Sequence, residues 1–240
     1  MSILRTENLS KEFDGLVSVD DVSIEIPNGQ IRALIGPNGA GKTTFVSMLC
    51  GRLKATSGRV IFDSCNVSDW PAHRRIATGM GYTFQITSIF PDMTVQQAVA
   101  LAARRNAKDK RCAVRRVANV LQRVGLADLR DITAGDLSYG HQRLLELAMG
   151  IVQQPKLLIL DEPTQGLSDD EIENFKSLIR DIAGDTTVLL IEHNMSVVME
   201  LADFITVMDA GRVLFEGVPQ AVKEDAGVQK AYLGAAYVAA

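Results

Sequence analysis

At 240 residues the chain has room for one large domain, or one domain with a subdomain, and for a sizeable core. Charged residues (22%) and hydrophobic residues (47%) sit near globular averages, which excludes a disordered chain, and a net charge of −4 gives no reason to expect nucleic acid as a partner. Three scattered cysteines without Cys-x-x-Cys spacing point to plain thiols in a reducing compartment, and no apolar run nears the ~18 residues of a membrane helix.

In chain order, residues 2–8 and 17–26 are predicted strands, the second from the alternation of Val17, Val19, Val22, Ile24 and Ile26 with polar residues. Asn28-Gly29 predicts a hairpin turn into the next strand, so an antiparallel β portion comes first. Between the two strands lies Phe13-Asp14-Gly15. Phe13 is either an aromatic that stacks on a purine or a core residue at a strand end.

The apolar run Ile31-Arg32-Ala33-Leu34-Ile35 leads into Gly36-Pro37-Asn38-Gly39-Ala40-Gly41-Lys42-Thr43-Thr44, and a helix-forming run closed by Gly51 follows. The pattern is G-x-x-x-x-G-K-[ST], whose backbone N–H groups can wrap a polyphosphate. A chain of average composition matches those fixed positions by chance roughly once in a hundred, and the strand–loop–helix context strengthens the match. Gly36, Gly39 and Gly41 allow backbone angles closed to other residues and a close approach to phosphate. Lys42 offers an ammonium to β/γ-phosphate oxygens, Thr43 a hydroxyl to Mg²⁺, and a helix opening at Lys42 adds its positive dipole end.

Beyond it, Thr56-Ser57-Gly58 is a predicted turn, residues 59–62 a strand, and Pro71 the first turn of a helix to about Thr78. Met80-Gly81-Tyr82-Thr83-Phe84 is a predicted strand ending at Gln85, which is either a polar loop residue or an amide near a γ-phosphate. Val95, Val99 and Leu101, then Val114, Val117, Val120, Leu121 and Val124, give helical periodicity over 94–103 and 110–124. This block reads as a helical insertion of about 65 residues. Its basic stretch from Arg104 to Arg116 is either a solvated connection or a face for anionic lipid or RNA. Ser138 is a suitable N-cap for a helix running to Val152, whose free N–H groups could receive an anion.

Leu157-Leu158-Ile159-Leu160-Asp161-Glu162-Pro163 carries the most chemistry after the loop. Its continuous apolar run predicts a buried parallel strand with two carboxylates at its end, where α/β folds bind ligands. Asp161 suits a Mg²⁺ shell and Glu162 a proton taken from water. Thr187-Val188-Leu189-Leu190-Ile191 repeats the pattern and ends in Glu192-His193, where His193 either contacts a γ-phosphate or is structural. Residues 202–208 and 212–215 are a predicted closing hairpin, and 219–225 and 228–238 short helices.

Together these motifs resemble the ATP-binding subunits of ABC transporters nearly end to end: Phe13, the loop from Gly36 to Thr44, Gln85, the signature Leu137-Ser138-Tyr139-Gly140-His141-Gln142, Asp161-Glu162 and His193, in family order. The resemblance implies an α/β P-loop NTPase fold of the ABC type, with an antiparallel β portion, a mainly parallel core sheet and a helical subdomain. The domain expectation is a core at 1–85 and 154–240 with a helical segment at 86–153. The resemblance also implies that Glu162, His193, Gln85 and Lys42 are catalytic, and that Thr43, Gln85 and Asp161 hold Mg²⁺. ATP would be held by Phe13, Gly36, Pro37, Asn38, Gly39, Ala40, Gly41, Lys42, Thr43 and Thr44, and by Ser138 and Gly140 arriving from a second chain. Implied partners are membrane permease subunits, a second ATPase subunit (identical or paralogous) arranged head to tail, and indirectly a solute-binding protein. The implied location is cytoplasmic, on the inner face of the plasma membrane.

The wording Leu-Ser-Tyr-Gly, Ile191-Glu192-His193-Asn194-Met195 and Ala231-Tyr232-Leu233-Gly234 is similar to subunits serving branched-chain amino acid uptake, with urea, amides or aromatic acids as nearest alternatives. Departures are Tyr139 for the commoner signature Gly, His141 where Gln is frequent, Ser168 where many members have Asp, and a short central helical segment.

Overall fold

A computed structural model describes residues 1–83, 89–104 and 109–233; Gln85 lies outside the described residues, as do 105–108 of the basic stretch and the tail from 234. The strands are β1 (Ser2–Phe13), β2 (Leu16–Val22), β3 (Glu25–Pro27), β4 (Ile31–Ile35), β5 (Ser57–Phe62), β6 (Cys65–Asn66), β7 (Met80–Thr83), β8 (Leu157–Asp161), β9 (Thr187–Ile191), β10 (Phe204–Asp209) and β11 (Arg212–Gly217). The α-helices are α1 (Lys42–Leu49), α2 (Ala72–Ala77), α3 (Val95–Ala103), α4 (Lys110–Arg123), α5 (Tyr139–Ile151), α6 (Asp169–Ala183), α7 (Met195–Leu201), α8 (Pro219–Glu224) and α9 (Ala226–Val228), with a π-turn over Gln229–Leu233.

Two sheets form. One has the order β2-β1-β5-β6, with β3 also on β1, and is antiparallel. The other has the order β11-β10-β4-β9-β8-β7 and is parallel except for β11. Every residue of β4, β8 and β9 is buried, as expected of central parallel strands covered on both faces. Because β7, β8, β9 and β4 are parallel neighbours, the loops leaving them share one edge of the sheet.

Two strand expectations need correcting. Asn28-Gly29 does not close a hairpin: β3 pairs with β1, whereas β4 pairs with β9 and β10, so the turn carries the chain from one sheet to the other. The tight hairpin is at Asp14-Gly15, both at positive φ, with Phe13 opposite Leu16. Residues 57–58 are not a turn but the start of β5.

Helices follow their apolar spacing. In α6, Phe175, Leu178, Ile179 and Ile182 are buried, and Ser168 with Glu171 forms a reciprocal capping box at its start. α3 starts on the same device, Thr94 with Gln97. The helices between β7 and β8 have no hydrophobic core of their own. Val99, Val117 and Leu145 share a cluster with Leu158 and Leu160 of β8 and Phe175 of α6. No helix among the described residues is long and apolar enough to cross a membrane.

Candidate functional site

The loop between β4 and α1 is held from behind by β2 and β10. A Cβ on Gly36 would collide with the Met208 carbonyl, and one on Gly41, at φ 93°, with the Ser18 carbonyl. At those two positions the close approach is to the chain's own backbone. Only at Gly39 does a Cβ meet nothing within 4 Å, so that side of the loop is open. The first turn of α1 has no side-chain cap, which leaves its N–H groups for an anion. The Lys42 ammonium lies across the loop and donates to the carbonyls of Gly36 (2.7 Å) and Pro37 (3.0 Å). Burial lowers its pKa, and the charges of Glu162 and Asp161 oppose that shift. Thr43 is exposed, and Thr44 accepts from the Ser18 hydroxyl at 2.9 Å.

Asp161 ends β8 beside Ile191 of β9 and is 5% exposed. Its Oδ2 accepts from the Tyr82 hydroxyl at 2.8 Å. Burial raises the Asp161 pKa, the Tyr82 hydrogen bond opposes this, and the charge of Glu162 adds to it. Tyr82 is pushed up in turn, by burial first and then by Asp161. The next residue, Glu162, sits at φ 49°, an uncommon left-handed setting for a side-chain-bearing residue. Its N–H donates to the Ile191 carbonyl, and its Oε1 lies 2.6 Å from His193 Nε2. Two strands that end side by side thus bring a carboxylate and an imidazole into contact.

Behind this pair, Glu192 Oε1 accepts from the N–H and hydroxyl of Thr164, and Oε2 from the N–H groups of His193 and Asn194. Sequence reasoning passed over Tyr82, Thr164 and Glu192, whose partners lie 79 and 28 positions away. An acidic residue directly after the apolar run Val188-Leu189-Leu190-Ile191 was the available signal for Glu192.

Ser138 caps α5, and its hydroxyl is 3.0 Å from His141 Nδ1. Gly140 is pressed against the Glu171 carboxylate at the start of α6, where a Cβ would not fit. Tyr139 lies over Gly166, to which a Cβ would bring it within 2.9 Å, and its hydroxyl accepts from Arg143 Nε at 3.2 Å. These contacts give two of the departures a local role: Tyr139 seats the loop that carries Gly166, and Ser168 caps α6. Phe13 is 42% exposed with the Lys11 ammonium 4.8 Å over its ring, so it is not a core aromatic. A cleft of about 770 Å³ lies between α3 and α4 and is lined by none of the residues above.

The residues fit a nucleoside triphosphate and a magnesium ion. The loop has an open glycine side, free helix N–H groups and a buried ammonium. Thr43 and Asp161 supply one hydroxyl and one carboxylate, and no group of three or more His, Cys, Asp or Glu suited to a metal occurs among the described residues. Magnesium needs only one or two such protein ligands when phosphates and waters complete its shell.

A family model described as ABC transporter matches residues 19–165. BraF of Pseudomonas aeruginosa, a high-affinity branched-chain amino acid transport ATP-binding protein, is 35% identical over 98% of both chains, in an alignment of 251 positions. LptB of Haemophilus influenzae, a lipopolysaccharide export system ATP-binding protein, is 32% identical over 98% of both, in an alignment of 237 positions. The solved ADP conformation of MJ1267, an ATP-binding cassette of an ABC transporter, matches with a TM-score of 0.86 at 29% identity, covering 98% of this chain and 99% of that one.

Proposed function

The chain belongs to the ABC transporter ATP-binding family, and from that premise we propose that two such subunits, identical or paralogous, close head to tail on two Mg·ATP to drive uptake of branched-chain amino acids or related small polar solutes through a membrane permease. The observation that carries the ATPase reading is the Glu162–His193 contact of 2.6 Å at the sheet edge that also presents Lys42 and Asp161. Glu162 takes the proton of the attacking water and His193 steadies the γ-phosphate. The N–H groups of residues 36–44 and Lys42 hold the β- and γ-phosphates, so most of the catalysis is electrostatic positioning. Thr43 and Asp161, with Gln85, would hold Mg²⁺, which would supply charge neutralisation on the phosphates. Phe13 stacks on the adenine, and Ser138 with Gly140 completes the opposite subunit's site.

We assign residues 1–85 and 154–240 to the ATPase core and 86–153 to the helical segment that meets the permease. The α3–α4 cleft supports this assignment, since it is lined by apolar Ala100, Val114, Val117 and Leu121 together with charged Arg104, Asp109 and Lys110. The subunit then sits on the inner face of the plasma membrane, with the solute-binding protein acting only through the permease.

A second reading, that the subunit powers lipopolysaccharide export, has one observation in its favour. The alignment to BraF is longer than this chain, so it requires gaps in it, whereas the alignment to LptB runs nearly position for position. Uptake of labelled leucine, isoleucine and valine in a strain lacking the gene separates the two. Loss of uptake supports the amino acid reading. Normal uptake with a defective outer-membrane surface supports the export reading.

A further inference from the structure

We infer that Glu192 is a positioning residue for hydrolysis: its buried carboxylate pins the loop carrying Glu162 to the loop carrying His193. The inference rests on the reading of Glu162 and His193 as the hydrolytic pair. Glu192 directly follows β9 and is 3% exposed. A carboxylate buried that far must have its oxygens satisfied. Both are: Thr164 N–H reaches Oε1 at 2.9 Å and the Thr164 hydroxyl at 2.5 Å, while His193 N–H reaches Oε2 at 3.0 Å and Asn194 N–H at 3.1 Å. Four donors occupy about the four acceptor sites a carboxylate has.

The donors come from two loops. Thr164 stands two residues beyond Glu162, and His193 and Asn194 leave the neighbouring strand. Above the clamp, the Glu162 N–H donates to the Ile191 carbonyl and the Glu162 side chain meets His193. The clamp therefore helps to set the geometry of that contact through a group that touches neither reacting side-chain end. The chemistry requires an acceptor on both sides. A glutamine of the same shape keeps one acceptor oxygen and turns an NH₂ toward N–H donors, so it holds one loop and repels the other.

The test compares Glu192→Gln, Glu192→Asp and Thr164→Val with wild type and Glu162→Gln, in the full chain. Displacement of catalytic groups by about 1 Å costs up to about a hundredfold in rate, so Glu192→Gln is expected to lower kcat by about tenfold to a hundredfold while the KM for ATP stays within about twofold. Glu192→Asp, which keeps the charge, should recover part of kcat. Thr164→Val should lose less than Glu192→Gln, and the double variant should be no worse than Glu192→Gln alone, as for residues in one network. Labelling the three histidines gives a direct readout: in Glu192→Gln the His193 ring resonances shift while those of His73 and His141 stay. If Glu192→Gln does not fold, Thr164→Val and Glu192→Asp carry the same kcat and resonance test. Wild-type turnover, strictly additive losses, or an unmoved His193 signal in a folded variant overturns the inference. If wild type does not hydrolyse ATP, or Glu162→Gln matches it, the hydrolytic reading itself fails. Active wild type, collapsed Glu162→Gln and normal Glu192→Gln reject the clamp alone.

Discussion

Removing Arg75 should weaken the helix that carries Lys42, although Arg75 lies on a different element and outside the site. The side chain is 2% exposed and threads beneath the C-terminus of α1. Its Nη1 donates to the carbonyls of Met48 and Leu49, each at 2.7 Å, its Nη2 to that of Ser68 at 2.8 Å, and its Nε to that of Trp70 at 3.0 Å. A cation there also opposes the negative end of the helix dipole. The Met48 carbonyl has a second donor, the N–H of Gly51, whereas Arg75 is the donor to the carbonyls of Leu49, Ser68 and Trp70. Arg75→Ala therefore takes the donor from one buried acceptor, the Leu49 carbonyl, and from two part-buried ones. An orphaned acceptor costs about 1–3 kcal/mol, and the low end applies because the vacated guanidinium space is polar enough to admit water. The expected loss is about 1–3 kcal/mol. For a chain of this size that is roughly 2–12 °C in Tm. Thermal and urea unfolding of the nucleotide-free protein measure it, and Arg75→Lys should recover part. A drop under about 2 °C would refute the assignment of α1's anchorage to Arg75.

Other perturbations separate fold from function. Gly41→Ala places a Cβ against the Ser18 carbonyl at φ 93°, and Gly39→Ala places one where nothing lies within 4 Å, so both should lose ATP binding but only Gly41→Ala should strongly destabilise the nucleotide-free fold, by about 2 kcal/mol or more against about 1 kcal/mol for the backbone strain alone. Ser168→Ala removes the cap of α6 and should cost about 1 kcal/mol at neutral pH. The N–H and hydroxyl of Ser168 hold the Glu171 carboxyl below its ordinary pKa. A carboxyl lowered in the folded state contributes stability above its unfolded pKa and loses it as pH falls through the folded value. The difference between wild type and Ser168→Ala in urea melts should therefore shrink on acidification below the ordinary glutamate range, and a difference that grows would be contrary.

The parts of the fold set by local chemistry were legible in the sequence. Three mainly apolar runs became β4, β8 and β9, and the Val and Leu spacing placed α3 and α4 within a residue or two. Ser138 was recognisable as a cap because capping is a short-range bond. What failed was pairing. Asn28-Gly29 has the composition of a turn, but whether its flanking strands bond to each other depends on β1 and β9, which the turn does not encode. α6 went unread although Ser168, Glu171 and the Phe175–Ile182 spacing announce it. In the site, Asp161, Glu162 and His193 were legible as polar ends of apolar strands. The contacts that hold them, Tyr82 on Asp161 and Thr164 on Glu192, are tertiary and leave no spacing to read.

The measurement closest to the centre of this account is turnover by Glu162→Gln with ATP binding followed in the same sample. Glutamine preserves the shape beside His193 Nε2 but cannot take a proton. Loss of a general base typically costs 10²–10⁴-fold, so phosphate release should fall by about a hundredfold or more while the affinity for ATP stays within about threefold and ATP-bound dimers accumulate. Turnover close to that of the wild type, with ATP bound normally, would contradict it.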